Sequence, residues 1–310
     1  MRSRYRVLCG AAAALIGVYV AISWLLSSMM VRFDVHTLES DRQRRDIDSP
    51  AQFGLPAPLD VTVPGAGVSL AGWLFVHPER RGCGAIISHG HTGTRYGGLD
   101  YAPLFWRRGC DLLLFDARYH GHSGGEFGTY GVRERDDLVA AVDWFARERG
   151  LSRGQIALLG ESMGAAITLQ AAAKLPDVAF VAVDSAFASL LAIFREQGQV
   201  RYGWVASLFL PAALALASWR AGAPLEDAQP IRYAPEIAVP VLLIHARADG
   251  YIAWTNSRDL YEAIAHPRKA LHVLDGDISH GQTINRRPDE YERYFADFLR
   301  TYAPDFGAGP

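Results

Sequence analysis

The run Gly160-Glu161-Ser162-Met163-Gly164 decides the fold. A short apolar stretch, 155–159, precedes it, as is typical of a buried parallel strand. A stretch rich in helix formers follows, 165–175, and Pro176 ends it. Strand, sharp turn and helix are the context that a nucleophile elbow requires, with Ser162 in a strained conformation between glycines that have no room for a side chain. On these five residues alone, a serine that merely caps the helix stays an alternative.

The composition predicts one large α/β domain with an appendage. The chain has 310 residues, of which 50% are apolar, enough for a sizeable core. The net charge is −2 with both signs interspersed, whereas a nucleic-acid partner would need a basic face. Short apolar runs alternate with helical stretches, which predicts a mostly parallel sheet with helices on both faces.

Residues 1–31 predict an N-terminal membrane anchor. The segment 7–31 contains no charged residue, and its length exceeds the roughly 20 residues that span a bilayer core as a helix. A cleaved signal peptide is the alternative. We favour an uncleaved single-pass helix, because the apolar run is long for a signal peptide and no clear Ala-x-Ala site follows Leu26.

The charges around the anchor suggest its orientation. Arginines precede it, which favours a cytoplasmic N-terminus and an extracytoplasmic catalytic domain. The bias is slight, because further arginines follow at 32, 42, 44 and 45. Residues 32–57 are polar and punctuated by proline, so they predict a juxtamembrane linker, and the catalytic domain then spans 58–304.

The catalytic domain shows a regular series of strands and helices. The predicted strands are an antiparallel pair at 59–63 and 68–76, followed by 85–88, 112–115, 155–159, 178–183, 241–244 and 269–274. The predicted helices outside the elbow are 99–108, 132–149, one around Leu260 and Ile264, and 291–299.

An apolar, aromatic insert at 187–239 interrupts this series. A packed helix pair is one interpretation, and a cap over the active site is the other. We favour the cap, because the insert leaves from a strand end at the catalytic edge. A second membrane span is disfavoured, because Pro211 and neighbouring polar residues interrupt the apolar run.

Ser162 needs a base and an acid, and two loops after the insert supply candidates. Asp249 follows the strand at 241–244, and His280 follows the strand at 269–274, so both lie at the edge that carries Ser162. Asp184 also ends a strand and is the fallback acid. The oxyanion donors are expected to be the backbone N–H groups of Met163 and His91, with that of Thr92 as the alternative to His91.

Several motifs together resemble the α/β-hydrolase superfamily, in its monoacylglycerol-lipase-like and serine-aminopeptidase-like branch. They are His89-Gly90, the run Asp116-x-Arg118-x-His120-Gly121-His122-Ser123-Gly124, the elbow, and the acid and histidine loops. The resemblance covers about residues 60 to 300 and implies the triad Ser162, Asp249 and His280. One departure is Ala246, where members usually have glycine, and a shifted loop that engages Asp184 stays possible.

The resemblance and the residues predict a membrane-anchored serine hydrolase without cofactor or metal, acting on a small-molecule or lipid acyl ester. A peptidase acting at free N-termini is the second hypothesis, with Glu196, Glu226 or Asp227 as a partner for the amine. A hydrolase-like domain that only binds is the third.

Two further residue groups have alternative interpretations. The pairs His89-x-His91 and His120-x-His122 have zinc-ligand chemistry, but they fit the hydrolase loops and lack a fitting third ligand. Cys83 lies six residues before His89, and Cys110 lies six before Asp116, the motif residues at the ends of two strands that are neighbours in the hydrolase sheet. A disulfide between them is the alternative if the domain lies outside the cytoplasm. We expect thiols there, because facing positions on paired parallel strands rarely suit a disulfide.

Overall fold

The computed structural model describes residues 2–308, with side chains from Tyr5 onward, so Met1 of the predicted anchor lies outside the described residues. The strands are β1 Leu59–Pro64, β2 Ser69–Phe75, β3 Gly84–Ser88, β4 Asp111–Phe115, β5 Ile156–Glu161, β6 Phe180–Asp184, β7 Val241–Ala246 and β8 Lys269–Leu274. They form one sheet in the order β1-β2-β4-β3-β5-β6-β7-β8. β2 is antiparallel to both of its neighbours, and β3 to β8 are mutually parallel.

Helices cover both faces of this sheet. They are α1 Arg2–Val31, α2 Leu38–Arg44, α3 Ala102–Trp106, α4 Glu134–Arg149, α5 Met163–Ala172, α6 Leu190–Tyr202, α7 Ala206–Ala221, α8 Pro230–Tyr233, α9 Thr255–Ala263, α10 Thr283–Arg286 and α11 Pro288–Tyr302. Successive strand residues face opposite layers: Leu158 belongs to the same buried cluster as Phe145 of α4, and Leu159 to the other cluster, with Phe295 of α11. The predicted α/β-hydrolase fold is therefore confirmed.

The predicted strands all form, and the largest difference among the helices is at the segment 99–108. The segment 99–108 is expected to be helical throughout, but Arg95–Asp100 is a 3-10 helix and α3 begins only at Ala102. Pro103 lies in the first turn of α3, where its fixed φ and missing N–H are tolerated. The proline therefore sets the start of the helix.

The turn between β5 and α5 has the strained geometry that the sequence predicts. Ser162 has φ 54° and ψ −114°. A Cβ atom on Gly160 would lie 2.3 Å from the Gly164 carbonyl oxygen, and one on Gly164 would lie 2.2 Å from the Ser88 carbonyl oxygen. Neither position can hold a side chain, so the need for glycine on both sides of the serine is confirmed.

The first part of the insert is a helical hairpin made of α6 and α7, and the short helix α8 follows it. The chain reverses at Gly203, which has φ 64°, and α7 then continues through Pro211. The prediction that Pro211 breaks the apolar run is thus wrong, since glycine makes the break. Two stretches, Tyr5–Val31 and Leu190–Ala221, are long and apolar enough to cross a membrane. The reversal at Gly203 divides Leu190–Ala221 into the two helices α6 and α7.

Residues 32–57 pack onto the domain and do not form a free spacer. Phe33 is buried, and its ring centroid lies 4.1 Å from that of His91. Asp41 of α2 is fully buried and accepts hydrogen bonds from the Thr94 backbone N–H and hydroxyl, both at 2.8 Å. This segment therefore contacts the loop that follows β3.

The expectation of free thiols at Cys83 and Cys110 is wrong. The two residues form a disulfide, with sulfur atoms 2.07 Å and Cα atoms 4.6 Å apart. Each cysteine stands one residue before its strand, β3 or β4, where the regular pleat no longer fixes the side-chain direction. The Asp111 N–H donates to the Cys83 carbonyl oxygen at 3.0 Å, which brings the two chain segments together.

Replacing Cys83 and Cys110 with serine should lower the free energy of unfolding by about 2–4 kcal/mol, because the disulfide closes a loop across 27 positions. Urea unfolding measures this loss, and Cys9→Ser, at an exposed free cysteine, is the matched control. In denatured but unreduced protein, iodoacetamide should alkylate Cys9 alone. Alkylation of all three cysteines would contradict the assignment.

Candidate active site

Three side chains from separate loops meet at the carboxyl edge of the sheet. Ser162 Oγ lies 2.8 Å from His280 Nε2, and His280 Nδ1 lies 2.6 Å from Asp249 Oδ2. The three residues follow β5, β8 and β7, and the carboxyl ends of parallel strands share one edge. The arrangement allows His280 to accept the proton of Ser162 while Asp249 orients the imidazole.

Asp249 is held and kept ionised by its neighbours. Its Oδ1 accepts hydrogen bonds from the N–H groups of Tyr251 and Ile252, both at 2.9 Å. His245 Nε2 lies 3.3 Å from Asp249 Oδ2 and 2.9 Å from the Ile252 carbonyl oxygen, so we assign the proton of His245 to Nε2. Burial alone would raise the pKa of Asp249, but hydrogen bonds from His245 and His280 hold it well below its usual range.

The same carboxylate strengthens His280 as a base. Burial would lower the pKa of His280, but the hydrogen bond to Asp249 and its negative charge raise the pKa above the ordinary value of 6.5. A base with a pKa near the working pH transfers protons efficiently in both directions.

Asp184, the fallback acid, lies in a different set of contacts. It is fully buried and accepts hydrogen bonds from Tyr101 Oη at 3.0 Å and from Thr283 Oγ1. Within residues 2–308 it makes no hydrogen bond to His280. Ala246 ends β7, and the loop that follows it brings Asp249 into hydrogen-bond contact with His280 despite the departure at this position.

The predicted oxyanion donors lie beside Ser162. Met163 and His91 line the same cavity as Ser162, and neither backbone N–H donates a hydrogen bond within the described residues. Free amides next to the serine are what a tetrahedral oxyanion requires. The amide of Thr92 is also free within the described residues, and Thr92 lines a second, more polar pocket that Ser162 and His91 line as well. Partial burial of the His91 imidazole lowers its pKa to about 4, so it is neutral at neutral pH.

The loop that carries His91 is fixed at several points. Asp41 holds Thr94 by two hydrogen bonds, and the His36 N–H donates to the Thr92 carbonyl oxygen at 2.9 Å. On its other side, Asp116 Oδ1 accepts from the Arg95 N–H at 2.8 Å. The backbone of this loop is thus positioned before any substrate binds.

The motif that begins at Asp116 has a structural role. Asp116 pairs with the Arg95 guanidinium at 2.9 Å and accepts from the His122 N–H at 2.9 Å. Arg118 pairs with Asp137 of α4 at 2.7 Å. These buried ion pairs fasten the loop after β4 to the rest of the domain, and none of the four side chains named here contacts Ser162.

In each of the two histidine pairs, the first histidine contacts the backbone. His89 Nε2 accepts from the Ala117 N–H at 2.9 Å, and its Nδ1 lies 2.8 Å from the Gly90 carbonyl oxygen. His120 Nδ1 lies 2.9 Å from the Arg118 carbonyl oxygen. Both nitrogens of His89 and one nitrogen of His120 therefore contact the backbone, whereas the buried His120 Nε2 has no hydrogen-bond partner in the described residues.

Two cavities of contrasting chemistry meet at Ser162. The apolar cavity has a volume of about 410 Å³ and is lined by the cap, by Tyr130 and by the end of α1. The polar cavity has a volume of about 490 Å³. Its lining includes Arg45, Asp100, Glu161 and Asn285. A substrate bound across Ser162 would thus have one apolar and one polar side.

Sequence reasoning missed the residues that line and support the site from a distance. Leu26, Met29 and Met30 of α1 line the apolar cavity, although the sequence marks them only as part of an apolar helix. Asp41 supports the His91 loop, and its position in a polar segment gave no signal. His245 could have been found, since it directly ends the apolar run before the Asp249 loop.

Comparison with known families identifies this architecture. The model of the X-Pro dipeptidyl-peptidase (S15) family matches residues 56–229, more than half of the 310 residues. The chain belongs to this family. As a member of this family, the chain belongs to the α/β-hydrolase superfamily and is a serine hydrolase.

Similar proteins cover most of the chain. The uncharacterized protein YqkD of Bacillus subtilis is 30% identical over 296 residues, which are 93% of this chain and 95% of YqkD. The esterase Pf2001 of Pyrococcus furiosus superposes with a TM-score of 0.65 at 24% identity, over 82% of this chain and 95% of the esterase. An acylaminoacyl peptidase of Pyrococcus horikoshii gives a TM-score of 0.58 at 15% identity, over 80% and 41% of the two chains. Both structural matches show the fold alone.

Replacing Asp249 with asparagine should lower kcat/KM for an ester by about 10³–10⁴-fold, because the imidazole loses its orienting carboxylate. In the wild type, the raised pKa of His280 means that kcat/KM rises with pH through an apparent pKa above 6.5. In the variant, the pKa of His280 falls, so this acidic limb should move to lower pH.

The matched control is Asp184→Asn, which neutralises a buried carboxylate that does not contact His280. It should lower the melting temperature while changing kcat/KM by less than about tenfold, and it should shift the acidic limb less than Asp249→Asn does, because Asp249 raises the pKa of His280 more than Asp184 does. A larger loss of activity in Asp184→Asn than in Asp249→Asn would reverse the assignment.

Proposed function

We propose that this protein is a membrane-anchored carboxylic-ester hydrolase that works through an acyl-enzyme on Ser162. The observation that carries the proposal is the contact series from Ser162 Oγ to His280 at 2.8 Å and from His280 to Asp249 at 2.6 Å. This series stands between an apolar and a polar cavity.

The proposed reaction has two steps. Ser162 Oγ attacks the carbonyl carbon while His280 takes its proton, and the N–H groups of Met163 and His91 stabilise the oxyanion. His280 then gives the proton to the leaving alcohol, which leaves an acyl group on Ser162. Water, deprotonated by His280, attacks this ester, and the acid is released as Ser162 recovers its proton.

The two cavities favour an ester with an apolar acyl group. The cap side of Ser162 is lined by aliphatic and aromatic side chains such as Phe187, Ile193 and Leu210, which suit an acyl chain. The charged and amide groups of the other cavity suit a polar alcohol.

The aminopeptidase hypothesis lacks its expected partner for the substrate amine. Glu196, Glu226 and Asp227 do not line either cavity at Ser162. Glu161 and Asp100 do line the polar cavity, but Arg45 lies there too and pairs with Asp100 at 3.0 Å. The charges of this cavity are thus already partly balanced.

The proposal includes an uncleaved anchor and an extracytoplasmic catalytic domain. Packing of α1 against the cap supports retention of the helix, because its removal would open the apolar cavity. The disulfide between Cys83 and Cys110 supports an oxidising compartment, in agreement with the slight charge bias around the anchor.

A fluorophosphonate probe should label the wild-type protein and fail to label Ser162→Ala, which should also lose ester hydrolysis by at least about 10³-fold. Ser279→Ala is the matched control, since Ser279 is exposed beside His280 and its side chain makes no hydrogen bond in the described residues. Equal labelling of wild type and Ser162→Ala would overturn the proposal.

The substrate class is tested with p-nitrophenyl acyl esters and aminoacyl p-nitroanilides at equal concentration. We expect the esters to be turned over faster, and faster still with a longer acyl group. Preference for the anilides would replace the esterase with the peptidase. Absence of both activities in a protein that still folds would indicate a binding domain.

A further inference from the structure

The N-terminal helix forms one wall of the apolar cavity at Ser162. Leu26 and Met29 of α1 line this cavity together with Phe194 of α6 and Leu210 of α7. A helix that served only as a tether would place no side chain in the active site. The walls of the cavity are therefore formed by both α1 and the α6–α7 hairpin.

Helices α1 and α7 run side by side in the same direction. At the start of α7, Tyr19 Oη donates to the Leu208 carbonyl oxygen at 3.0 Å. At its end, Arg220 donates to the hydroxyl groups of Ser27 and Ser28, both at 2.7 Å. The hairpin thus extends along α1, away from the sheet, as far as the level of Tyr19.

The contact between these helices has the composition of helix packing in membranes. On α1, Ser23 and Ser27 are at most 1% exposed. On α7, Ala213 and Ala217 are fully buried. Small residues four positions apart allow close backbone approach, which is the common way for helices to associate in lipid.

Positions along α1 give the depth that the hairpin would have in a bilayer. Charged residues end at Arg6, and the polar contact between Arg220 and Ser27 marks the other end of the apolar stretch. From Val7 to Ser27 the helix rises about 30 Å at ~1.5 Å per residue, which equals the thickness of a bilayer core. By the same rise, the level of Tyr19 lies about 12 Å inside the boundary at Ser27.

The surface of the hairpin suits this depth. Five large apolar side chains at or near its tip are 40–83% exposed, namely Val200, Tyr202, Trp204, Val205 and Leu208. Trp219 is 72% exposed next to Arg220, the position of an interfacial aromatic residue. Arg201 is the charged residue beside the tip. Its guanidinium lies 5.6 Å from the Tyr202 ring, and its long side chain can extend towards the headgroups.

We propose that the α6–α7 hairpin lies within the lipid layer beside α1 and that the acyl chain of a membrane lipid ester passes between these helices to Ser162. This inference rests on the ester hydrolysis proposed above. Lipid is the occupant of the exposed surface, because that surface is continuous with the apolar face of α1 and lies at the depth of the bilayer core. An acyl chain on this path reaches Ser162 without crossing water.

The depth of the hairpin in the lipid layer is tested with the full chain in phosphatidylcholine vesicles. In a Cys9→Ser background, an environment-sensitive fluorophore is attached to Val200→Cys at the hairpin tip or to Glu148→Cys, an exposed position in the last turn of α4. We expect lipids with nitroxide-labelled acyl chains to quench the label at 200, and aqueous iodide to quench the label at 148. Quenching of both labels by iodide alone would overturn the proposal.

The acyl path is tested by two tryptophan substitutions on one turn of α1. Leu26→Trp fills the cavity, whereas Leu25→Trp lies at a side chain that is 63% exposed and does not line it. The measured quantity is the ratio of turnover between p-nitrophenyl palmitate and p-nitrophenyl acetate. Leu26→Trp should lower this ratio by roughly tenfold or more, and Leu25→Trp by less than about twofold. Equal ratios in the two variants would overturn the path.

Fluorophosphonate labelling in the same vesicles separates this inference from the proposed function. If the Leu26→Trp protein is labelled but its ratio equals that of the wild type, the lipid path is wrong and the hydrolase stands. If the wild type itself is not labelled, the proposed function fails.

Discussion

The close approach of the first turn of α5 to the end of β3 is the constraint on which the active site depends. Gly164 lies so near the Ser88 carbonyl oxygen that a Cβ atom would come within 2.2 Å of it. This contact holds Ser162 at its positive φ and sets the loop after β3, with His91, beside the nucleophile. One packing contact thus places both the attacking hydroxyl and the second predicted oxyanion donor.

The positions of Ser162, Asp249 and His280 could be predicted because each follows an apolar run that reads as a strand. Parallel strands share a carboxyl edge, so local pattern was enough to bring these residues together. The support from Asp41 could not be predicted, because its partner Thr94 is 53 positions away and no local pattern marks the pair. The disulfide was missed because its geometry depends on how the chain enters β3 and β4, just outside the regular strands.

The two cavities and the N-terminal helix α1 are arranged in order around Ser162. Ser162 separates an apolar cavity under the cap from a polar cavity lined by Arg45 and Glu161. Helix α1 forms one wall of the apolar cavity, and the residues from 32 onward then pack against the loop that carries His91. On the proposed function, the anchor, the acyl site and the oxyanion loop are therefore consecutive parts of one packed assembly.

The most direct test of this account is a crystal structure of the full chain after reaction with a long-chain alkyl phosphonate. The account predicts phosphorus bonded to Ser162 Oγ and a phosphonyl oxygen within hydrogen-bond distance of the Met163 and His91 amides. It also predicts the alkyl chain between α1 and the hairpin, in contact with Leu26. Phosphorus on another residue, or an alkyl chain in the polar cavity, would contradict it.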